Sequence, residues 1–349
     1  MPIAGLFSGD IPQKNINQII NKIKKNKKIE SQDKKIGKII LEFIKIKKLV
    51  IYGGYAIHLL LKNKTGHGIY NEKLDLLDFD IYSTKFDEDS LELARILKKN
   101  DFHRIRIISG ITGKTRKIFV NLESNAIVDI SLKTREELDK IQIPIGEYLV
   151  ACPQHIKIDH YMQLSMNFLQ YHWRLQKTFD RVKLLEINFP ITNINHIEEK
   201  NISKESISLI DTINNKYDVI IGGDYIFNKL YDFPQNGEIF IYSNDIIDEH
   251  IPVNGISVKN DLRLFPIIGE IFFINNENQH WVTKSVLIYT YYVLKFYYNT
   301  KKYDWKIKIL VDDFIKNSFE KNIEILKSKA KYIEESKKQI LPTEYLTTF

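Results

Sequence analysis

The 349-residue chain contains little cysteine, methionine or tryptophan and has no long apolar run. Its one cysteine, Cys152, excludes a disulfide within the chain and indicates a reducing compartment. The longest apolar and aromatic run, 286–298, is interrupted by Lys295 and is shorter than the ~20 residues that a membrane-spanning helix needs. The first 15 residues lack a basic segment that leads into a sustained apolar core. We therefore expect neither a membrane helix nor a secretory signal.

The chain does contain enough apolar sequence for two globular domains, because 44% of its residues are hydrophobic. Its formal net charge is +7, and the segment 14–48 alone holds 12 lysines against three acids. Within this region, residues 12–29 and 33–47 repeat isoleucine at helical spacing, which predicts two amphipathic helices. Their lysines either contact phosphates of a nucleic acid or form an ordinary solvated face, and the sequence leaves both interpretations open.

The stretch 49–83 carries the most informative pattern. It begins with the apolar run LVIY, which predicts a short strand, and Gly53 and Gly54 end that strand before a helical segment. After a polar loop, DFDIYS predicts a second strand. Asp78 and Asp80 lie two residues apart on it and therefore point to the same face.

A third acid, Asp129, lies 49 residues after Asp80 in the strand-like segment IVDIS. Phosphoryl and nucleotidyl transfer use divalent cations about 3.5–4 Å apart, and carboxylates are the ligands that hard cations prefer. Three clustered carboxylates would repel one another without such cations. Glycines that open a helix also allow phosphate to approach the backbone. The pattern thus predicts a nucleotidyl-transfer site.

The second half of the chain repeats the first pattern in a degenerate form. Two pairs of segments align without gaps, 218–228 on 49–59 with five of eleven residues identical, and 238–243 on 78–83. The repeat indicates an internal duplication. Glu238 replaces Asp78 and Phe240 replaces Asp80, and a single acid cannot hold two metals. We therefore predict that the second copy is catalytically inactive.

The order and spacing of these motifs resemble the DNA polymerase β-like nucleotidyltransferase superfamily. The segments GGYAI and DFDIYS, with GG and IYS each occurring twice, are similar to segments of the poly(A) polymerase catalytic subunits of large cytoplasmic DNA viruses, both poxvirus-like and giant-virus-like. The motifs cover 49–131, and a helical extension containing RLQKTFDRVKLLE reaches about residue 188. Many superfamily members have serine where Gly54 stands and a shorter interval before the acids. The resemblance therefore indicates the reaction class more firmly than the substrate.

The resemblance implies a role for each motif residue. Asp78 and Asp80 would bind both Mg²⁺ or Mn²⁺ ions, and Asp129 would bind the ion that activates the primer 3′-hydroxyl. Gly53 and Gly54 would hold the phosphates of ATP. The enzyme would add AMP to RNA 3′ ends, using a poly(A) primer, and would work as a homodimer or with a processivity subunit. Its location would be the host cytoplasm or viral factory, with packaging in the virion as a further option.

Three basic residues in the helical extension form a second candidate site. Arg174, Lys177 and Arg181 are three and four residues apart and share one helical face. They would bind the triphosphate or the RNA 3′ end. Asp180 and Glu186 are ordinary salt-bridge partners within reach of the same face, so a structural role stays open.

The expected fold class is α+β, with a mixed sheet of about five strands flanked by helices and a second, degenerate copy of the same nucleotidyltransferase fold. Three regions are expected: a basic helical segment 1–48, a catalytic domain with its helical extension 49–189, and a degenerate domain 190–349. Two alternative functions stay open. One is the same chemistry on another acceptor such as tRNA, and the other is a non-catalytic RNA-binding or processivity scaffold.

Overall fold

The computed structural model divides into two compact units, unit 1 (Met1–Ile156 with Ile340–Phe349) and unit 2 (Lys157–Gln339). The structure describes residues 31–70, 78–110, 113–120, 125–165, 172–192, 195–216, 219–243, 256–259, 261–266, 273–276, 279–317 and 345–348. The first of the two predicted N-terminal helices, within 12–29, lies outside these residues. The division after Ile156 falls inside the predicted helical extension, and the three-region organisation stays a prediction.

Unit 1 is an eight-stranded sheet with helices. Its helices are α1 (Ser31–Lys47), α2 (Gly53–Thr65), α3 (Phe86–Lys99) and α4 (Arg135–Ile141). The first of its two segments ends within α5 (Pro153–Ser165). Its strands are β1 (Val50–Tyr52), β2 (Phe79–Ser83), β3 (Arg106–Ser109), β4 (Thr115–Phe119), β5 (Val128–Leu132), β6 (Gln142–Ile145), β7 (Tyr148–Ala151) and β14 (Tyr345–Thr348).

The sheet of unit 1 is mixed, as predicted, with the order β14-β3-β4-β5-β2-β1-β7-β6. Strand β2 is parallel to β5 and antiparallel to β1, while β1 is parallel to β7. The sheet has more strands than the five expected because the β6–β7 hairpin extends one edge and β14 pairs with β3 at the other.

Side-chain alternation gives the central strands one apolar and one polar face. Ile51, Ile81 and Ile130 are register partners on β1, β2 and β5, and all three are fully buried. The next residue back along β2 and β5 is an aspartate, Asp80 and Asp129, and both are half-buried on the opposite face. The apolar face therefore builds the core, and the polar face carries the candidate site.

Unit 2 contains a six-stranded sheet of order β10-β11-β9-β8-β13-β12. Its strands are β8 (Ile220–Gly222), β9 (Ile239–Ser243), β10 (Ile256–Lys259), β11 (Leu262–Pro266), β12 (Phe273–Asn276) and β13 (Gln279–Val282). Its helices are α6 (His172–Asn188), α7 (Lys204–Lys216), α8 (Gly223–Leu230), α9 (Lys284–Tyr298) and α10 (Asp304–Asp312), and a π-helix (Asp313–Asn317) follows α10. Among the described residues of either unit, none forms a helix long and apolar enough to cross a membrane.

The six strands of unit 2 repeat six strands of unit 1 in order and direction. Strand β9 is parallel to β11 and antiparallel to β8, and β8 is parallel to β13. In unit 1, β2 is likewise parallel to β5 and antiparallel to β1, and β1 is parallel to β7. An antiparallel strand pairs at each end of these four strands, β4 and β6 in unit 1 and β10 and β12 in unit 2. The predicted second copy of the fold is confirmed.

The gapless alignment of the two glycine pairs is wrong by one residue. Helices α2 and α8 begin at Gly53 and Gly223, whose φ angles are 64° and 72°. Each pair has only one glycine in this left-handed conformation. Gly53 is the first glycine of its pair, whereas Gly223 is the second of its pair. The position of Gly54 is consequently occupied by Asp224, an acid, in the second copy.

Asp224 is fully buried and is held by several partners. Its Oδ1 lies 2.7 Å from Lys306 Nζ and accepts a hydrogen bond of 2.6 Å from the Tyr291 hydroxyl, while the Glu238 N–H donates to Oδ2 at 2.8 Å. Lys306 is also fully buried and forms a second ion pair with Glu199. Buried charges of this kind are tolerated only while their partners are present.

We expect Lys306→Met to lower the free energy of unfolding by about 3–5 kcal/mol, because it leaves two buried carboxylates without their shared cation. Lys308→Met is the matched control on the same helix. It removes a partly exposed ion pair with Asp312, 2.7 Å long, and should cost less than about 1 kcal/mol. Urea unfolding followed by circular dichroism measures both losses. Equal losses in the two variants would contradict the assignment.

Candidate active site

Four residues on adjacent strands of unit 1 form a row across the polar face. Tyr52 on β1 is in register with Asp80 on β2, Asp80 with Asp129 on β5, and Asp129 with Lys117 on β4. Register partners share a face, and neighbouring strands lie about 4.8 Å apart. The sheet alone therefore brings the carboxylates of Asp80 and Asp129 side by side. We call these four residues the acid row.

Helix α2 begins directly beside the acid row. A Cβ added to Gly53 would lie 2.0 Å from Asp80 Oδ2, and the φ of Gly53 is 64°, so only glycine fits there. The preceding residue, Tyr52, makes no side-chain hydrogen bond to the helix, and the first turn contains no acid. The positive end of the helix dipole and its first N–H groups thus lie near the acid row, an arrangement that favours an anion.

Tyr52 packs against side chains of β2 and β5. Its ring stacks on Tyr82 at 3.9 Å between centroids with the planes 6° apart, and its hydroxyl lies 2.8 Å from Ser131 Oγ. Ser131 Oγ is also 2.8 Å from Thr115 Oγ1 on β4. Burial, and then the charge of Asp80, raise the pKa of the Tyr52 hydroxyl well above its usual value of 10. Tyr52 therefore acts as a neutral hydrogen-bonding group and a rigid wall of the site.

A histidine lies behind this wall. The Tyr82 hydroxyl is 3.2 Å from His155 Nε2, and the two rings meet edge to face. Burial, and then the charge of Lys133, lower the pKa of His155 to about 4. The imidazole is therefore neutral at pH 7, and its contact with Tyr82 supports the wall of the site.

The two oxygens of the Asp129 carboxylate differ in their partners. Lys117 forms an ion pair with Oδ2, whereas Oδ1 is buried and has no hydrogen-bond partner among the residues that the structure describes. A buried polar atom of this kind costs about 1–3 kcal/mol, and a divalent cation is a natural partner for a carboxylate oxygen. Asp80 and Asp129 thus fit two protein ligands of a divalent cation. Mg²⁺ usually takes one or two carboxylates and completes its coordination with water and phosphate.

The other predicted site residues are not members of the acid row, and Gly54 follows Gly53 in the first turn of α2. Asp78 is exposed and directly precedes β2. Within the part of the chain that the structure describes, no three His, Cys, Asp or Glu side chains form a group that could hold a metal ion, so the three-aspartate metal site stays a prediction. Arg174 and Lys177 are exposed and Arg181 is half-buried on α6 of unit 2. Their role also stays a prediction.

Sequence analysis missed two members of the acid row, Tyr52 and Lys117. Both matter because of their register across strands, which a linear sequence does not display. The alternation in β4, where Thr115 and Lys117 share one face and buried Ile118 lies on the other, is the one local signal that pointed to a polar face.

The second copy has a different set of residues at the same register positions. Phe240 stands where Asp80 is, and its partner on β11 is Arg263, which stands where Asp129 is. Arg263 Nη2 lies 2.8 Å from Glu238 Oε1. The acid that replaces Asp78 is therefore neutralised by the residue that replaces Asp129, and this copy offers no pair of carboxylates to a cation.

Comparison with known proteins identifies a family that matches most of the first segment of unit 1. Residues 38–170 match the family of poly(A) polymerase catalytic subunits, a range that contains the acid row and α2. Proteins named as candidate poly(A) polymerase catalytic subunits in two isolates of African swine fever virus are 39% and 38% identical over 80 residues. Each match covers 23% of this chain and 16% of the relative, so it spans about a sixth of those proteins.

A solved structure resembles nearly the whole chain. The crystal structure of the Megavirus polyadenylate synthase aligns with a TM-score of 0.63 and 17% identity, and it covers 95% of this chain and 75% of that one. At this identity the likeness concerns the fold, and the predicted α+β nucleotidyltransferase fold is confirmed. The match over residues 38–170 and the viral relatives confirm the resemblance to poly(A) polymerase catalytic subunits.

Proposed function

We propose that the chain is a template-independent polynucleotide adenylyltransferase that adds AMP from ATP to RNA 3′ ends. One observation carries the proposal: Asp80 and Asp129 are register partners beside the glycine that opens α2, within the residues that match the polymerase family. The choice of ATP over other nucleotides rests on the resemblance alone.

The residues of the chain would bind and orient the reactants. Asp80 and Asp129 would hold Mg²⁺ or Mn²⁺, with Asp78 as a further carboxylate. Divalent cations, when bound, supply positive charge against phosphate oxygens. Gly53 and Gly54 would present the backbone N–H groups at the start of α2 to the triphosphate.

In the proposed reaction the RNA 3′-hydroxyl attacks the α-phosphate of ATP in line. The new oxygen–phosphorus bond forms as the bond to pyrophosphate breaks. The Tyr52 and Tyr82 stack would keep Asp80 and Asp129 in place during this step. On α6, the basic residues Arg174, Lys177 and Arg181 would bind the triphosphate or the RNA.

The resemblance also suggests the setting of the reaction. RNA with a poly(A) 3′ end would be the acceptor, and a second copy of the chain or a processivity subunit would be the protein partner. The host cytoplasm or viral factory would be the location. Size-exclusion chromatography with light scattering distinguishes a homodimer from a monomer that requires a separate subunit.

We expect Asp80→Asn and Asp129→Asn each to reduce primer extension by about 10²–10³-fold or more, because each removes a charge from the carboxylate pair. The measurement uses a labelled oligo(A) RNA, Mg²⁺ or Mn²⁺, and ATP, CTP, GTP and UTP in separate reactions. Asp139→Asn is the control, since it removes an exposed acid on α4 of the same unit.

Extension of RNA by ATP alone, lost in both site variants and kept in Asp139→Asn, supports the proposal. Extension of tRNA in preference to oligo(A) would move the assignment to the same chemistry on another acceptor. Absence of extension with every nucleotide and acceptor would contradict catalysis and favour an RNA-binding scaffold.

We expect Gly53→Ala to lose extension by about 10²-fold or more, since small displacements of catalytic groups have effects of this size. The added Cβ would lie 2.0 Å from Asp80 Oδ2 and would push that carboxylate aside. Gly146→Ala is a matched control, because its φ of 58° imposes a similar backbone strain while no atom lies within 4 Å of the added Cβ. Both variants should lose about 1–2 kcal/mol of stability from that strain. Equal extension rates per folded molecule would disprove the role of Gly53.

A further inference from the structure

Lys117 is the one cation of the acid row. It lies on β4 in register with Asp129, which is in register with Asp80 on β2. Register partners on adjacent strands point to the same face of the sheet. The sheet therefore places Lys117 next to Asp129 and one strand further from Asp80, and these three side chains carry a formal charge of −1.

The contact of Lys117 is made to one oxygen of Asp129. Its Nζ forms an ion pair with Oδ2, and the two side chains are 39% and 17% exposed. The other oxygen, Oδ1, is buried, and no described residue forms a hydrogen bond with it. Lys117 thus neutralises one side of the carboxylate and leaves the other side for a different partner.

The second copy provides an internal comparison for this lysine. Its register equivalents of Asp80 and Asp129 are Phe240 and Arg263, and the residue paired with Arg263 on β10 is Ser257. The copy that lost both aspartates therefore also lacks a lysine at the equivalent position. This correlation indicates that the lysine serves the acid pair and is not needed by the strand pairing itself.

We infer that Lys117 is the built-in counter-cation of the acid pair: it offsets the repulsion between Asp80 and Asp129 when no divalent cation is bound. The inference rests on the proposed function, since it takes these two aspartates as the metal-binding pair. Lys117 is a positioning residue, because it acts through Asp129. A fixed positive charge beside the pair also opposes a second cation, so Lys117 sets the concentration at which a divalent cation binds.

The test measures metal binding without any turnover. The full-length protein is titrated with Mn²⁺ or Mg²⁺ in the absence of nucleotide and RNA, and its melting temperature is followed. Lys117→Met keeps the length of the side chain and removes the charge, Lys117→Gln is a second neutral variant, and Lys117→Arg keeps the charge. Lys140→Met is the matched control, because it removes an exposed ion pair with Glu136 on α4.

We expect both neutral variants of Lys117 to melt below the wild type without metal and to regain most of the difference with Mn²⁺. Their Mn²⁺ midpoint should be about three- to tenfold lower than that of the wild type, because a repelling charge within a few ångströms has been removed. Lys117→Arg and Lys140→Met should keep the wild-type midpoint. A loss of packing alone would not tighten metal binding.

Two outcomes would overturn the inference, and they are distinguishable. If the wild type responds to Mn²⁺ and the Asp80→Asn/Asp129→Asn variant does not, but the Lys117 variants have an unchanged or higher midpoint, the role of Lys117 is wrong while the metal site stands. If the wild type and the double aspartate variant respond alike, the metal site of the proposed function is wrong and the counter-cation role falls with it.

Discussion

The candidate site depends on how closely the side chain of residue 80 approaches the first residue of α2. Only glycine can stand at position 53, because a Cβ there would lie 2.0 Å from the Asp80 carboxylate. The second copy has the same constraint with different chemistry, since a Cβ at Gly223 would lie 2.7 Å from the ring of Phe240. The glycine therefore belongs to the strand–helix junction of this fold. Its presence in a copy that lacks acids at the positions of Asp80 and Asp129 has a steric cause, and phosphate binding is not required to explain it.

What separates the two copies is the balance of charge on the polar face. In unit 2, Arg263 at the register position of Asp129 forms an ion pair with Glu238, which directly precedes β9, and Asp224 is buried with Lys306. Those charges are neutralised within the protein. In unit 1, Lys117 pairs with one oxygen of Asp129, and the register partner of Asp129 is a second carboxylate, Asp80. The same sheet topology thus supports a self-neutralised core in one unit and a candidate metal site in the other.

Local patterns were sufficient to predict much of this architecture. The strand, the glycine pair, the helix, the acid-bearing strands and the duplication all depend on short-range alternation and turn residues, and the structure contains them. The displacement of the duplicate by one residue was not predictable, because the two glycine pairs align in sequence and only φ distinguishes Gly53 from Gly54, and Gly223 from Gly222, as the helix start. Tyr52 and Lys117 were missed for a different reason. Their positions depend on pairing between strands that are distant in sequence, and nothing in either local segment specifies that register.

The unequal satisfaction of buried polar groups supports the same assignment of roles. Asp224 in the second copy accepts from Lys306, Tyr291 and a backbone N–H, as buried carboxylates in a structural core usually do. Asp129 in the first copy has a buried oxygen without a hydrogen bond to any described residue, which costs stability and is explained by a bound ion or water. A duplicated fold gains nothing from leaving that oxygen unsatisfied unless a ligand satisfies it. Unit 2 also contains buried polar atoms that form no hydrogen bond with a described residue, among them Arg263 Nε, so the contrast concerns the carboxylates Asp224 and Asp129, and Asp129 is the one with an oxygen to offer to a cation.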